Sequence, residues 1–295
     1  MFTAVIPTLN RPLDLGKAVV SILNQTTLPD ELIIVDQSVD DDSQTQVETL
    51  VADCKDIQIN YIRDPNISGL VDAKRTAVSY AQGDIVCFLE DDIVLESDFI
   101  EQIISGFTQQ PNMIGCCGIV TNMPQQALVH RLVFNLFHRG IYQDKRVGVY
   151  GKREGRGHDL IASRMISGGM SAWRREVFVD VPFDPINGFF MLEDVDFSSR
   201  VASYFGPHLY INPNARLEHN CSPVNREALA PRHRRKVMEF IKYYKHRSDW
   251  QCATFNLSWL LCGLFLESLY KATLTHSIWP LKGFFLGLRD GFDEG

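Results

Sequence analysis

Asp84-Ile85-Val86-Cys87-Phe88-Leu89, followed at once by Glu90-Asp91-Asp92, is the stretch on which the fold turns. The unbroken apolar run from Ile85, rich in β-branched and aromatic residues and preceded by Gly83, reads as a strand buried on both faces. Three adjacent carboxylates at its carboxyl end repel one another. A divalent cation with oxygen ligands would offset that repulsion, and a nucleoside diphosphate would complete the ion's shell. The same run also fits a solvated acidic turn or the N-terminal cap of a following helix.

Outward from this strand, the pattern alternates. Residues 2–6 form a short apolar run ended by Pro7. Leu15, Ala18, Val19, Ile22 and Leu23 then fall on one helical face. Residues 31–36 (ELIIVD) read as a second buried strand, 43–52 as a polar helix, and 57–62 as a third strand. Residues 71–81 read as a helix stopped by Gly83. Ser97 is placed to cap a helix through Phe107, and residues 113–120 form a further strand. Strand and helix in turn predict an α/β fold: a Rossmann-like, mostly parallel sheet flanked by helices. Ligands of such sheets bind beyond the carboxyl ends of the strands. Asp36 and Glu90-Asp91-Asp92 both stand there.

The middle, residues 125–159, mixes aromatic, basic and glycine residues, and 148–157 (GVYGKREGRG) reads as a mobile loop. Helical signals return around 171–177 and 193–205, and 209–211 reads as a short strand ended by Pro213. Residues 232–247 form a basic helix with Val237, Phe240, Ile241 and Tyr244 on one face. Residues 255–270 are apolar around most of the helix, interrupted by Glu267, and 281–288 are apolar again. The expected division is a nucleotide-binding domain over 1–225 and a C-terminal helical appendage over 226–295. The appendage fits either a membrane surface or packing against protein.

Composition narrows the function. The 295 residues are 45% hydrophobic and 22% charged, with a formal net charge of -7, which argues against general affinity for nucleic acid. The seven cysteines contain no CxxC pair, so no zinc site is read, and a reducing, cytoplasmic setting is expected. Met1 leads directly into the first strand, so no signal peptide is read, and no apolar run reaches transmembrane length. Nothing matches a P-loop, no GxGxxG opens the first helix, and Ser171 lacks a GxSxG elbow. Three further features carry chemistry. Glu193-Asp194-Val195-Asp196 could cap a helix or supply a general base. His219 gains interest as a third metal ligand beside the carboxylates. Lys74 and Arg75 could meet a diphosphate.

Taken in order, these motifs resemble the family 2 glycosyltransferases of GT-A fold. Val5-Ile6-Pro7-Thr8-Leu9-Asn10-Arg11 resembles that family's first strand and turn. Gln25, Pro29 and residues 31–36 resemble the segment leading to its nucleotide-contacting aspartate. Residues 69–77 (GLVDAKRTA) resemble its glycine-to-arginine helix, with Lys74 at the arginine position. Phe88-Leu89-Glu90-Asp91-Asp92 resembles the strand ending in its DxD motif. Residues 168–178 and 193–200 resemble its acceptor side. The likeness covers the first two thirds of the chain.

The resemblance implies roles. Pro7, Thr8, Asn10 and Arg11 would line the donor pocket, with Asp36 on the base and Lys74, Glu90 and Asp91 towards ribose and diphosphate. Asp92 and His219 would hold Mn or Mg. Asp194 would be the catalytic base with Glu193 beside it, and Gly168, Gly169 and Trp173 would meet the acceptor. The implied reaction is inverting transfer of a sugar from a nucleoside-diphosphate sugar (UDP, GDP or dTDP) to a saccharide or lipid-linked hydroxyl. Polysaccharide biosynthesis on the inner face of the plasma membrane is the implied setting. Two other readings stay open: a non-catalytic GT-A-like binding partner in polysaccharide assembly, and a sugar nucleotidyltransferase. The glycine-rich GxGTR-type opening of the latter class is absent. Three positions depart from the family pattern: Gln37-Ser38-Val39 after Asp36, Glu90 as the first DxD carboxylate, and Lys74 for arginine.

Overall fold

The computed structural model describes residues 1–123, 128–139, 145, 159–184, 192–222, 224, 229–246 and 254–293. The glycine-rich stretch 148–157 lies outside them, as does Arg247 at the end of the basic run. The chain divides into two compact units. One comprises Met1–Pro124, Arg146–Pro185 and Phe197–Asn225; the other comprises Gln125–Lys145, Ile186–Asp196 and Arg226–Gly295.

The first unit opens with β1 (Phe2–Thr8), α1 (Pro12–Leu23), β2 (Glu31–Asp36), α2 (Asp42–Val51), β3 (Gln58–Arg63), α3 (Leu70–Tyr80) and β4 (Ile85–Leu89). These strands lie parallel in the order β3-β2-β1-β4. Side chains alternate across the sheet. Phe2, Ala4, Ile6, Leu32 and Ile34 pack with Leu15, Val19 and Ile22 of α1 on one face. Val5, Ile33, Val35 and Phe88 pack with Ala73 and Ala77 of α3 on the other. Helices on both faces explain why the inner strands β1, β2 and β4 are largely apolar rather than alternating, while the edge strand β3 (QINYIR) alternates over 58–61.

The sheet continues with mixed pairing. After β4 come β5 (Ile93–Leu95), α4 (Phe99–Gln109) and β6 (Gly115–Val120). Then follow β7 (Ile161–Ser163), β8 (Met170–Arg174), α6 (Val177–Asp180), α7 (Glu193–Phe205) and β9 (Leu209–His219), with α5 (Leu128–Phe134) in the other unit. The strand path is β3-β2-β1-β4-β8-β6-β9-β5, and β7 also pairs with β9. β8 runs antiparallel between β4 and β6, and β9 runs parallel to β6.

Four local expectations change. β1 runs through Pro7 to Thr8. Thr8 O accepts from Gln37 N on the β2 side, so alternation turns Pro7 to the β4 side, where the ladder has ended at Val5–Phe88. No hydrogen bond is therefore lost to the proline. Residues 170–174 are strand rather than helix, because Ser171, Ala172 and Trp173 pair on both edges. Asp98, not Ser97, precedes the first residue of α4. β9 passes through Pro213, because the β6 ladder shifts register between Cys117 and Ile119, leaving 212–215 without β6 partners. A Cβ on Gly118 would stand 2.5 Å from Ala215 O, so glycine is needed at this irregularity.

The second unit is helical: α5 continuing into a π turn at Asn135–Arg139, then α8 (Leu229–His246), α9 (Thr254–Thr275) and α10 (Trp279–Asp293). α10 lies close on α8, since a Cβ on Gly287 would approach Arg234 O to 2.5 Å. Buried Glu267 on α9 accepts from Lys236 at 2.8 Å and Lys271 at 2.6 Å. Burial alone would raise its pKa, but the two ammonium groups outweigh burial and hold the carboxyl well below its usual range.

Buried His233 on α8 meets Ser268 Oγ, and burial pushes its pKa down to about 4. The unfolded imidazole protonates near 6.5, so the folded unit binds fewer protons between those values. Its stability is full above that window and is lost as pH falls through it. The melting temperature is expected to drop by several degrees from pH 7 to pH 5, with His233→Gln flattening part of that slope. Parallel wild-type and variant profiles in calorimetry would contradict this assignment.

Candidate functional site

The acidic run sits in the connection from β4 to β5, two strands of the same sheet. Because a strand follows it, the helix-capping reading of Glu90-Asp91-Asp92 falls. β5 pairs antiparallel with β9, setting Ile93 opposite His219 and bringing the histidine to the acidic run across the sheet. His219 Nε2 lies 2.9 Å from Glu90 Oε2 and 3.0 Å from Asp92 Oδ1. One ligand atom from each of Glu90, Asp92 and His219 lies within 4.8 Å of the others.

Each member is fixed from behind. Asn122 bonds His219 twice through the backbone: Asn122 Nδ2 donates to His219 O at 3.2 Å, and Asn122 Oδ1 accepts from His219 N at 2.9 Å. Ser222 N donates to Asp92 Oδ2 at 2.7 Å, and Asn220 N to Asp92 O at 2.9 Å. Glu90 N donates to Gly169 O at 2.9 Å. Hydrogen bonds to Asp92 and Glu90 push the His219 imidazole up to about 10. Burial pulls Asp92 upward, but the His219 and Ser222 hydrogen bonds and Arg11 outweigh it and hold the carboxyl below its ordinary value. A cation entering here would replace the His219 proton, so its affinity would rise with pH.

Asp91 points the other way. Thr8 Oγ1 donates to Asp91 Oδ2 and Arg11 Nη1 to Asp91 Oδ1, both at 2.8 Å. Burial raises the Asp91 pKa against the pull of Arg11 and Thr8. Arg11 Nη2 donates to Val224 O at 2.8 Å, while buried Arg11 Nε has no partner among the described residues. The guanidinium thus lies fixed beside the carboxylates with its buried Nε–H still to satisfy, and an anion is the group it suits.

The donor set of two carboxylates and an imidazole suits a divalent ion of the hard-to-borderline class. Gly169 is part of the cluster's wall, since a Cβ there would fall 2.1 Å from Glu90 Oε1. Gly169→Ala is expected to turn Glu90 out of the cluster and weaken Mn²⁺ binding about tenfold with little change in melting temperature. Unchanged calorimetric affinity would contradict that role.

The remaining sequence candidates separate. Asp36 is fully buried: its Oδ1 accepts from Ser38 N, at 2.9 Å, and from Ser38 Oγ, and its Oδ2 accepts from Tyr61 OH at 2.7 Å. Ser38 Oγ accepts from Asn10 N at 2.8 Å, and Asn10 takes a left-handed φ of 52°. Asp36 therefore shapes the turn after β1 as well as its own. Lys74 is 2% exposed; its Nζ donates to Gly168 O at 3.0 Å and lies 5.5 Å from the Phe88 ring centre. Trp173, expected at the acceptor, is instead a core residue. It is 2% exposed, donates through Nε1 to Ser171 Oγ and meets Phe197 edge to face at 4.8 Å. Glu193 and Asp194 open α7 in the second unit, where Asp194 Oδ1 accepts from Val195 N at 2.8 Å.

Sequence reading missed Asn122, Ser222 and Tyr61. Ser222 acts on Asp92 through its backbone N–H, which leaves no side-chain signature. Asn122 and Tyr61 lie outside every motif, and only the β6–β9 and β2–β3 pairings bring them in.

A Rossmann-like sheet carrying a carboxylate–imidazole cluster and a fixed arginine at its strand ends defines the GT-A class of fold. The model of the family described as "Glycosyl transferase family 2" matches residues 3–181, and the chain belongs to that family. It is 33% identical over 103 residues to the GalNAc(5)-diNAcBac-PP-undecaprenol beta-1,3-glucosyltransferase of Campylobacter jejuni subsp. jejuni serotype O:2. That match spans 35% of this chain and 33% of the relative, about a third of its length.

Solved structures share the fold. The mannosyltransferase PcManGT from Pyrobaculum calidifontis, in complex with GDP-Man and Mn²⁺, has a TM-score of 0.64 at 15% identity, covering 100% of this chain and 75% of that one. S. aureus TarS in complex with UDP-GlcNAc has a TM-score of 0.61 at 12% identity, covering 98% of this chain and 80% of that one. Glucosyl-3-phosphoglycerate synthase from Mycobacterium tuberculosis, with Mn²⁺ and UDP-glucose, has a TM-score of 0.57 at 16% identity, covering 85% of this chain and 79% of that one.

Proposed function

We propose that the chain is an inverting glycosyltransferase that moves a sugar from a nucleoside-diphosphate sugar to a hydroxyl of a saccharide or lipid-linked acceptor. The observation that carries this reading is the convergence of Glu90, Asp92 and His219 at the end of β4, with Arg11 fixed beside them. The bound donors of the fold neighbours and the lipid-linked substrate in the relative's name support the substrate classes.

Glu90, Asp92 and His219 would hold Mn²⁺ or Mg²⁺; when bound, the ion neutralises charge on the departing diphosphate. Arg11 adds a fixed positive charge on the same side, already oriented by Asp91 and so requiring little reorganisation during reaction. Thr8, Pro7 and Asn10 line the turn that leads from β1 to that arginine. Asp194 accepts the proton of the acceptor hydroxyl, with Glu193 beside it. Attack from the face opposite the leaving group gives inversion in one displacement, so no covalent nucleophile on the chain is required. The buried carboxylate of Asp36 keeps Ser38 and Tyr61 in place where the base of the donor would lie.

Calorimetric titration of UDP, GDP and dTDP with Mn²⁺, Mg²⁺ or chelator tests the binding half of the proposal. At least one nucleotide is expected to bind at least about tenfold more tightly with metal. Equal binding with and without metal for all three would overturn it.

A further inference from the structure

α9 is built inside out. Its buried side carries Leu260, Gly263 and Leu264 but also the charged Glu267 and the hydroxyl of Ser268. Its solvent side carries Phe255, Trp259, Leu266 and Leu269, which are 74%, 36%, 41% and 43% exposed. These four fall at helical spacing on one face. A water-facing surface helix has the opposite arrangement.

The apolar face continues onto the neighbouring helices of the same unit. Trp259 Nε1 donates to Leu136 O at 3.0 Å, and Leu136 ends a row with Leu128 and Leu132, each more than half exposed. Phe265 meets Phe285 of α10 at 6.3 Å between ring centres. On α10 the exposed side reads Trp279, Lys282, Phe285, Arg289, Phe292, so aromatic rings and cations take turns. Lys282 Nζ lies 4.7 Å from the Trp279 ring centre. This row is too large and continuous to be scattered surface hydrophobics.

Charge selects the occupant. Residues 226–295 hold eleven Lys and Arg against seven Asp and Glu, a net +4, whereas 1–225 hold eighteen against twenty-nine, a net -11. The cations on the face itself are Lys282 and Arg289, the latter paired with Asp290 at 3.0 Å, and a second copy would bring two such net-positive units together. An anionic bilayer offers both what the rings need and what the cations need: an acyl boundary under a layer of negative headgroups. No helix among the described residues is long and apolar enough to cross a membrane, so the contact is one of lying in the interface.

We propose that the outer face of α9 and α10, with the leucine row of α5, is an interfacial binding surface for anionic lipid, with Phe255, Trp259, Leu266, Leu269, Trp279 and Phe285 entering the acyl boundary. This surface is independent of the reaction proposed above and stands whether or not that reaction is correct.

The test is flotation of the full chain with vesicles of phosphatidylcholine alone or of phosphatidylcholine mixed with phosphatidylglycerol. The mixed vesicles are expected to bind at least about tenfold more protein, with salt reducing the difference. Tryptophan emission should shift to the blue and be quenched by brominated acyl chains. A Leu266→Gln/Leu269→Gln/Phe285→Ser variant, altered only at exposed positions, should lose binding about tenfold or more while keeping its melting temperature and nucleotide affinity. Three results would overturn the proposal. One is no binding to either vesicle. Another is binding that the variant retains. The third is a lipid-free dimer by light scattering that the variant dissociates, which would give the face to a second copy.

Discussion

Asp92→Ala is expected to abolish metal-dependent nucleotide binding, weakening it by more than about a hundredfold. Asp92 is 5% exposed and occupies the centre of the cluster, facing His219 with one oxygen and Ser222 N with the other. Its removal deletes one of the three candidate ligands and frees the backbone at Ser222. Arg11 also loses part of its balance, since its Nη1 lies 3.9 Å from Asp92 Oδ2 as well as against Asp91. Asp92→Asn keeps the shape and the Ser222 contact but removes the charge. It is expected to fold as wild type and still lose most metal affinity, which separates an electrostatic role from a structural one. Calorimetric titration of Mn²⁺ and nucleotide into both variants measures this. Unchanged affinity in either variant would remove Asp92 from the metal site.

Asp194→Asn is expected to lower sugar transfer by about 10³-fold while leaving donor and metal affinity within about twofold. The asparagine keeps an oxygen to accept from Val195 N, so the start of α7 is preserved, but it cannot take a proton from the acceptor. A base role predicts loss in kcat with the donor affinity intact. A purely capping role predicts full transfer and unchanged stability in this variant, with a loss of about 1 kcal/mol only in Asp194→Ala. Full transfer by the variant would end the base assignment.

The two outcomes are independent. Asp92→Ala removes the donor's anchor, whereas Asp194→Asn removes only the proton acceptor. A chain that bound nucleotide but served solely as a non-catalytic partner would show the first loss and no transfer to lose.

Much of the parallel half of the sheet was legible from residues 1–95, because strands covered on both faces must be apolar without alternation. Ile33, Val35 and Phe88 announce this directly. The antiparallel half was less legible for the same physical reason. Met170-Ser171-Ala172-Trp173 is buried on both faces, Met170 and Ala172 against one core and Trp173 against the other, so it too lacks alternation, and short apolar runs do not separate strand from helix by period. Pro213 misled because a proline ends a strand only where a ladder bond is demanded, and here the β6 ladder has slipped past it.

The site divides along the same line. Glu90, Asp92 and His219 could be named from sequence, but the contact of His219 with Asp92 depends on the β5–β9 register across more than a hundred residues. Trp173 was misplaced because an indole beside an acceptor and an indole in a core have the same one-dimensional signature. Burial against Phe197 decides between them. Asp36 and Lys74 are both buried, and their polar atoms engage Ser38, Tyr61 and Gly168 within the unit. Sequence shows which polar groups are present; only the fold shows which are already taken. The inside-out character of α9 was hidden for this reason. Glu267 read as an interruption of an apolar helix, whereas Lys236 and Lys271 hold it within the unit.

The most direct measurement is release of nucleoside diphosphate from a panel of UDP-, GDP- and dTDP-sugars, with and without Mn²⁺. The account predicts turnover of at least one donor, dependent on metal, lost on chelation and lost in Asp92→Ala. Absence of turnover and of metal-dependent binding across the whole panel would contradict it, as would release at an undiminished rate from Asp92→Ala.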